Sequence, residues 1–319
     1  MSVLFTFPGQ GAQVPGMLHA LPDHAGVSAT LDEAAEALHD DPLKLDTQQA
    51  LTSTVAVQLC LLISGVAMAR ALIAQGGRPD MVAGLSIGAY PAAVVSGALD
   101  FADAVHLVAH RGKLMEQAFP VGFGMAALIG LDRQHVEALI ASAHSAAMPV
   151  FLANVNASRQ MVISGSDEAL RMAMARALEC GATKVERLAV NVPSHCELLD
   201  QSAQEMRTAF SQTKLSTPGI AYLSTSRARA LFEPAQIAID LAENMARQVN
   251  WPDTARLAWE RGARLAVEMP PGAVLTNLTA PVFAEGLCIS CDSNRLDTLL
   301  ELIARDHAAG DRHRIPPAA

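Results

Sequence analysis

Cysteine is scarce: five residues in 319, an odd number, scattered apart from Cys288-Ile289-Ser290-Cys291. That excludes a disulfide framework, and a lone C-x-x-C with no second pair supports neither a zinc site nor a redox centre. Reduced core thiols of a cytosolic protein are the simpler expectation. Basic residues are also in the minority, 23 Lys and Arg against 32 Asp and Glu, for a net charge of −9. With a sequence pI near 5.5, a broad electrostatic footprint for nucleic acid or anionic lipid is excluded, so any acidic partner must dock on a local basic group. The start, "MSVLFTFPGQGAQ", lacks a basic segment before its short apolar run, so no secretory signal is expected. The uncharged run from Thr47 to Ala69 is interrupted by Gln58, Ser64 and Gly65 and followed by Arg70, and predicts a buried core helix in place of a membrane span. No internal repeat is present. These absences predict a cytoplasmic protein with no nucleic-acid and no membrane partner.

What is there is a large core: 51% of residues are hydrophobic and 17% charged, the balance of a compact chain. The length suits two domains, or one large domain carrying an insertion. Strand-like "VLFTF" ends at Pro8-Gly9-Gln10-Gly11, a long apolar helix runs from about Gln48 to Gln75, and "DMVAG" forms a short buried strand ahead of Ser86. Asp100 and Asp103 suit the start of a helix running to about Phe119. Strands alternating with helices predict an α/β fold with a parallel sheet covered on both faces. After "PVGFG" the rhythm becomes β-α-β-β-α-β over 125–191, the signature of a ferredoxin-like subdomain. The larger core then comprises 1–124 and 192–305, and the polar stretch 306–319 is expected to be a flexible tail.

Four signals bear on chemistry. Gly84-Leu85-Ser86-Ile87-Gly88 fits a sharp strand-to-helix turn that lifts the Ser86 hydroxyl out at its tip, although a chance G-x-S-x-G in a chain this long has a probability of roughly one in ten. A serine nucleophile needs a base. Of the histidines, His195 in "VPSHCELL" stands where the chain would return from the insertion to the core, whereas Ser194 as a helix cap with His195 at the surface is the blander reading. Arg111 falls in the apolar stripe of the 100–119 helix, where a buried guanidinium requires an anion: a protein carboxylate, or the carboxylate of a substrate. Finally, Gly9-Gln10-Gly11 lies at the carboxyl end of the first strand, where the backbone N–H groups of Gln10 and Ile87 can form an oxyanion hole.

Together these stretches resemble the malonyl-CoA:acyl carrier protein transacylases and related acyltransferase domains. The resemblance spans "FPGQGAQ", "GLSIGAY", "RGKLM", "VPSHC" with its following leucines, "VNW" and "PPGAVLTNLT" in order. It implies an α/β-hydrolase-like core with parallel sheet plus the inserted ferredoxin-like (βαββαβ) subdomain. It further implies Ser86 as nucleophile, His195 as general base, Gln10 and Ile87 as the oxyanion hole, and Arg111 as the ligand of the malonyl carboxylate. A main-chain carbonyl orients the histidine in that family, and Asn250 is the matching position; Met115 is implied to line the pocket. No metal and no bound cofactor are implied, the substrates being malonyl-CoA and a carrier's phosphopantetheine-type thiol.

The elbow departs from the family's usual Gly-His-Ser-Leu-Gly-Glu by Leu85 and by Ala89-Tyr90. In this it resembles the acyltransferase (epsilon) subunits of bacterial malonate decarboxylases, which load malonyl onto the decarboxylase's own acyl carrier protein. The expected function is therefore malonyl transfer to that carrier, with contacts to other decarboxylase subunits. The alternatives are a transacylase of fatty-acid or polyketide synthesis and a serine thioesterase. Carrier docking is expected at Lys184 and Arg187.

Overall fold

The structure is a computed structural model and describes residues 2–311. The first strand, β1 (Ser2–Phe7), is buried on both faces, as its unbroken apolar run requires of a central parallel strand. Helices α1 (Ala25–Leu38) and α2 (Thr54–Ala74) follow, then β2 (Met81–Gly84), α3 (Ala89–Val95) and α4 (Phe101–Ala118). Although α2 is long and apolar enough to cross a membrane, 89% of its apolar window is buried inside the fold. It starts at Thr54, later than the apolar run suggested, because Ser53 takes an extended conformation and its hydroxyl caps the backbone N–H of Ala56. Asp100 caps α4 through the N–H groups of Ala102 and Asp103.

The next segment holds β3 (Phe123–Ile129), α5 (Arg133–Ala143), β4 (Val150–Ala157), β5 (Gln160–Ser166), α6 (Asp167–Glu179) and β6 (Lys184–Arg187). Its strands pair antiparallel in the order β6-β3-β5-β4, and Leu128, Ile163, Val136 and Leu170 build a separate core beneath the two helices. The chain then forms α7 (Asp200–Phe210), β7 (Ala221–Ser224), β8 (Arg229–Leu231), α8 (Pro234–Glu243), β9 (Val249–Asn250), α9 (Trp251–Glu260), β10 (Ala263–Glu268), α10 (Val274–Thr279), β11 (Leu287–Ser290) and α11 (Leu296–Asp311).

The large sheet has the order β11-β10-β1-β2-β7-β8. Its pairings are parallel, except that β8 closes the edge antiparallel to β7. One connection was not legible in the sequence: β9, from the returning chain, adds to the small sheet parallel to β4. That pairing ties the small sheet to the segment just after α8. The tail expected from 306 instead begins as helix, since α11 continues to Asp311 with Leu299 and Ile303 buried at helical spacing; the remaining 312–319 lie outside the described residues.

Candidate active site

The carboxyl end of β2 meets the amino end of the turn before α3 at Ser86. The two glycines of the pentapeptide have separate steric reasons. A Cβ on Gly84 would overlap the Gly88 carbonyl, and one on Gly88 would overlap the carbonyl of Phe7 at the end of β1. Gly9, too, leaves only 2.8 Å between a built Cβ and the Leu85 carbonyl oxygen. The turn is thus pressed against the β1 loop, and Ser86 itself adopts φ +56°. A non-glycine residue in that left-handed region costs about 1–2 kcal/mol, which the surrounding packing must offset. The hydroxyl faces a cleft of about 210 Å³ shared with Gln10, His195, Met125, Asn154 and Asn156.

His195 enters this cleft from the loop after the small sheet, also with positive φ (+64°), and is buried. Its backbone N–H donates to Met245 O at 2.6 Å. Its Nδ1 lies 2.8 Å from the Asn244 carbonyl oxygen and 3.1 Å from that of Arg247. Carbonyls only accept, so Nδ1 carries the proton and Nε2 is left as the basic nitrogen. Burial, aided by the positive charge of Arg111, pushes the imidazole pKa down to about 4, against the pull of the two carbonyls. The imidazole is therefore neutral at neutral pH. No hydrogen bond joins it to Ser86 Oγ among the described residues, a looseness common in unliganded acid–base pairs.

The orienting carbonyls correct the assignment of Asn250. That residue lies in β9, with its N–H donating to Thr225 O and its carbonyl accepting from Thr254 Oγ1, so neither group is turned to the imidazole. Asn244 takes the place, and it does more than orient His195. Its Nδ2 donates to the Ser86 carbonyl (3.2 Å) and its Oδ1 accepts from Arg111 Nη2 (3.2 Å). One residue thereby touches nucleophile, base and cation. The sequence carried a signal for it: Ile237, Leu241 and Asn244 follow helical spacing, which puts the amide on the buried stripe of α8 extended by one turn.

Arg111 is 0% exposed. Its Nη2 donates to Ser86 Oγ (3.2 Å) as well as to Asn244, its guanidinium stands 5.8 Å from the Tyr90 ring centroid, and its Nε and Nη1 have no partner. No carboxylate pairs with it among the described residues. Desolvation pushes its pKa downward, with the nearby Tyr90 hydroxyl acting the other way. Met115, one turn further along α4, is buried and accepts from Gln58 Nε2 at 3.3 Å; neither it nor Arg111 is among the residues lining the cleft, which Arg111 reaches through its bond to Ser86 Oγ. Gln10 does line it, and Ile87 directly follows Ser86 with its side chain buried.

Lys184 pairs with Glu186 at 2.5 Å, while Arg187 donates to the Phe123 and Met125 carbonyls and to Asp167. Both cations are engaged by neighbours, and Arg187 braces the start of β3. Burial pushes the Cys288 thiol up to about 12 and the Cys291 thiol higher still. Among the described residues no group of three or more His, Cys, Asp or Glu is placed to hold a metal.

An open, mostly parallel sheet presenting an elbow serine beside a neutral imidazole defines a serine-dependent acyl-group enzyme, a class that includes both hydrolases and transferases. The chain belongs to the acyl transferase domain family, whose model matches residues 4–309, and it is accordingly an acyltransferase. A malonyl CoA-acyl carrier protein transacylase of Haemophilus influenzae is 35% identical over 291 residues, spanning 89% of this chain and 93% of its own. The solved malonyl CoA-acyl carrier protein transacylase of Coxiella burnetii superposes with a TM-score of 0.90 at 33% identity, covering 96% of this chain and 98% of that one. A malonyl-transacylase solved in complex with a type II polyketide acyl-carrier protein has a TM-score of 0.88 at 32% identity, covering 95% and 100%.

Proposed function

We propose that the enzyme moves a malonyl group from malonyl-CoA, through an ester on Ser86, to the thiol of an acyl carrier protein. The observation that carries this reading is Arg111: a fully buried guanidinium, hydrogen-bonded to the Ser86 hydroxyl and paired with no carboxylate among the described residues. An unpaired buried charge is costly unless an anion completes it, and the free carboxylate of a malonyl group bound at Ser86 supplies that anion. A plain fatty acyl chain does not.

In the first half-reaction Ser86 Oγ attacks the thioester carbonyl as His195 Nε2 takes its proton. The backbone N–H groups of Gln10 and Ile87 hold the oxyanion, each worth about 3–4 kcal/mol where such a donor has been removed. Collapse breaks the C–S bond, and the proton passes from His195 to the departing thiolate. The second half-reaction reverses these roles, with the carrier's thiol as the nucleophile. Asn154 and Asn156, two apart on β4, are among the residues lining the cleft, and their side-chain oxygens are buried without a partner.

The relatives act with acyl carrier protein, which supports a transacylase of the fatty-acid or polyketide kind as the main reading. The Leu85-Ser86-Ile87-Gly88-Ala89-Tyr90 elbow favours a second, narrower one, in which the acceptor is the carrier subunit of malonate decarboxylase. Intact-mass measurement after exposure to malonyl-CoA tests the common step: wild type should gain one malonyl group and Ser86→Ala none, and labelling that persists in the variant would refute the assignment. Chasing the malonyl-enzyme with each carrier in turn then separates the two acceptors by transfer rate.

A further inference from the structure

Helices α2 and α4 approach closely because Gly112 faces Val55: a Cβ there would stand 2.8 Å from the Val55 Cα. One turn along α2 from that contact, Gln58 is 1% exposed within an apolar helix. Its amide is poorly matched. Nε2 donates only to the Met115 thioether, a weak acceptor, and Oε1 has no partner. Arg111 lies four residues before Met115 on the same face of α4, and its Nε and Nη1 are likewise unpartnered. Met115 thus joins the two at one helix contact, touching Gln58 across the interface and following Arg111 by one turn, and both Gln58 and Arg111 carry unpaired buried polar atoms. Leucine or methionine would fill the Gln58 position without leaving a buried polar atom unsatisfied.

We propose that Gln58 is a positioning residue for Arg111, and through it sets the preference for a carboxylated acyl group. The inference rests on the reading of Arg111 as the site of the substrate carboxylate. In the resting enzyme Arg111 Nη2 is held by Ser86 and Asn244. When an acyl carboxylate engages the guanidinium, Gln58 Oε1 accepts one of the remaining N–H groups and fixes the plane of the fork. Asn244 on one side and Gln58 on the other then hold the cation in a bidentate orientation, which a lone flexible arginine would reach only at a cost in side-chain entropy.

The test compares Gln58→Leu and Gln58→Met with wild type, using kcat/KM for malonyl-CoA and for acetyl-CoA together with the melting temperature. Both variants should melt at or above the wild-type temperature. Their kcat/KM for malonyl-CoA should fall by about tenfold to a hundredfold, the scale of one hydrogen bond to a charged group, with acetyl-CoA within about twofold of wild type on the same scale. In an Arg111→Met background Gln58→Leu should change the ratio no further, since the two act as one unit. An unchanged malonyl-to-acetyl ratio in both variants, or an equal loss for both thioesters with a lowered melting temperature, overturns the proposal. If Arg111→Met itself leaves the ratio unchanged, the carboxylate site is what fails; if Arg111→Met abolishes the preference and the Gln58 variants keep it, the failure belongs to Gln58 alone.

Discussion

Replacing Arg111 with methionine isolates what its guanidinium does, because methionine keeps the apolar stem that packs in α4 and removes only the charged head. The head makes two hydrogen bonds of 3.2 Å, to Ser86 and Asn244, and leaves Nε and Nη1 unpaired on a residue with no solvent exposure in the unliganded protein. A malonyl carboxylate bound there gains a bidentate, charge-assisted contact, each bond of that type contributing about 1.5–3 kcal/mol. Part of that gain is offset by desolvating the carboxylate, so a net of roughly 3–4 kcal/mol follows, a factor of about 10²–10³. The variant should lose that factor in kcat/KM for malonyl-CoA and almost nothing for acetyl-CoA. Stability supplies the second arm. Since burial without a carboxylate partner already disfavours the charged form, removing it should leave the melting temperature unchanged or raised. A variant that keeps its selectivity and melts lower would show that Arg111 is only a structural cation.

His195→Ala should slow acylation by roughly 10²–10⁴-fold, measured by single-turnover labelling with malonyl-CoA. Because the folded imidazole pKa is about 4, kcat/KM should stay flat down to about that pH before falling, and the break should move upward in Arg111→Met, which lacks the repelling charge. The same depression makes the unfolded chain bind the extra proton first: this group's contribution to stability is intact above the ordinary histidine value of about 6.5 and is lost as pH falls toward about 4, readable in denaturant midpoints. Gly88→Ala drives a methyl into the Phe7 carbonyl and should cost roughly 3 kcal/mol or more while displacing Ser86; wild-type stability would show that the elbow is not so constrained. Arg187→Glu breaks its bonds to Phe123, Met125 and Asp167 and should lower stability by about 1–3 kcal/mol. CoA-dependent and carrier-dependent steps should then suffer alike, whereas a loss confined to transfer would restore it as a docking residue.

Local patterns were legible wherever the chemistry is carried by neighbours in the chain. The run "VLFTF" could only be a central strand, Asp100 could only begin a helix, and the glycines around Ser86 announced a turn whose steric cause the fold then supplied. Arg111 was legible as well, as a cation on an apolar stripe, but its partner was not. Whether a buried guanidinium meets a carboxylate or waits for one depends on residues far along the chain, and only the packing of α4 against the segment after α8 shows that it meets Asn244 and Ser86 instead. The placement of the carbonyls facing His195 failed for the same reason: the resemblance at "QVNW" pointed to Asn250, whereas the bend after α8 turns Asn244 and Arg247 to the imidazole and gives Asn250 to β9. Lys184 and Arg187 read as free positive charge until Glu186, Asp167 and two strand carbonyls were found beside them. Periodicity and turn chemistry act over a few residues and are written in the sequence. Which polar groups finally satisfy one another is settled by distances across the fold, so the residue types of the site came from the sequence and its partnerships from tertiary packing.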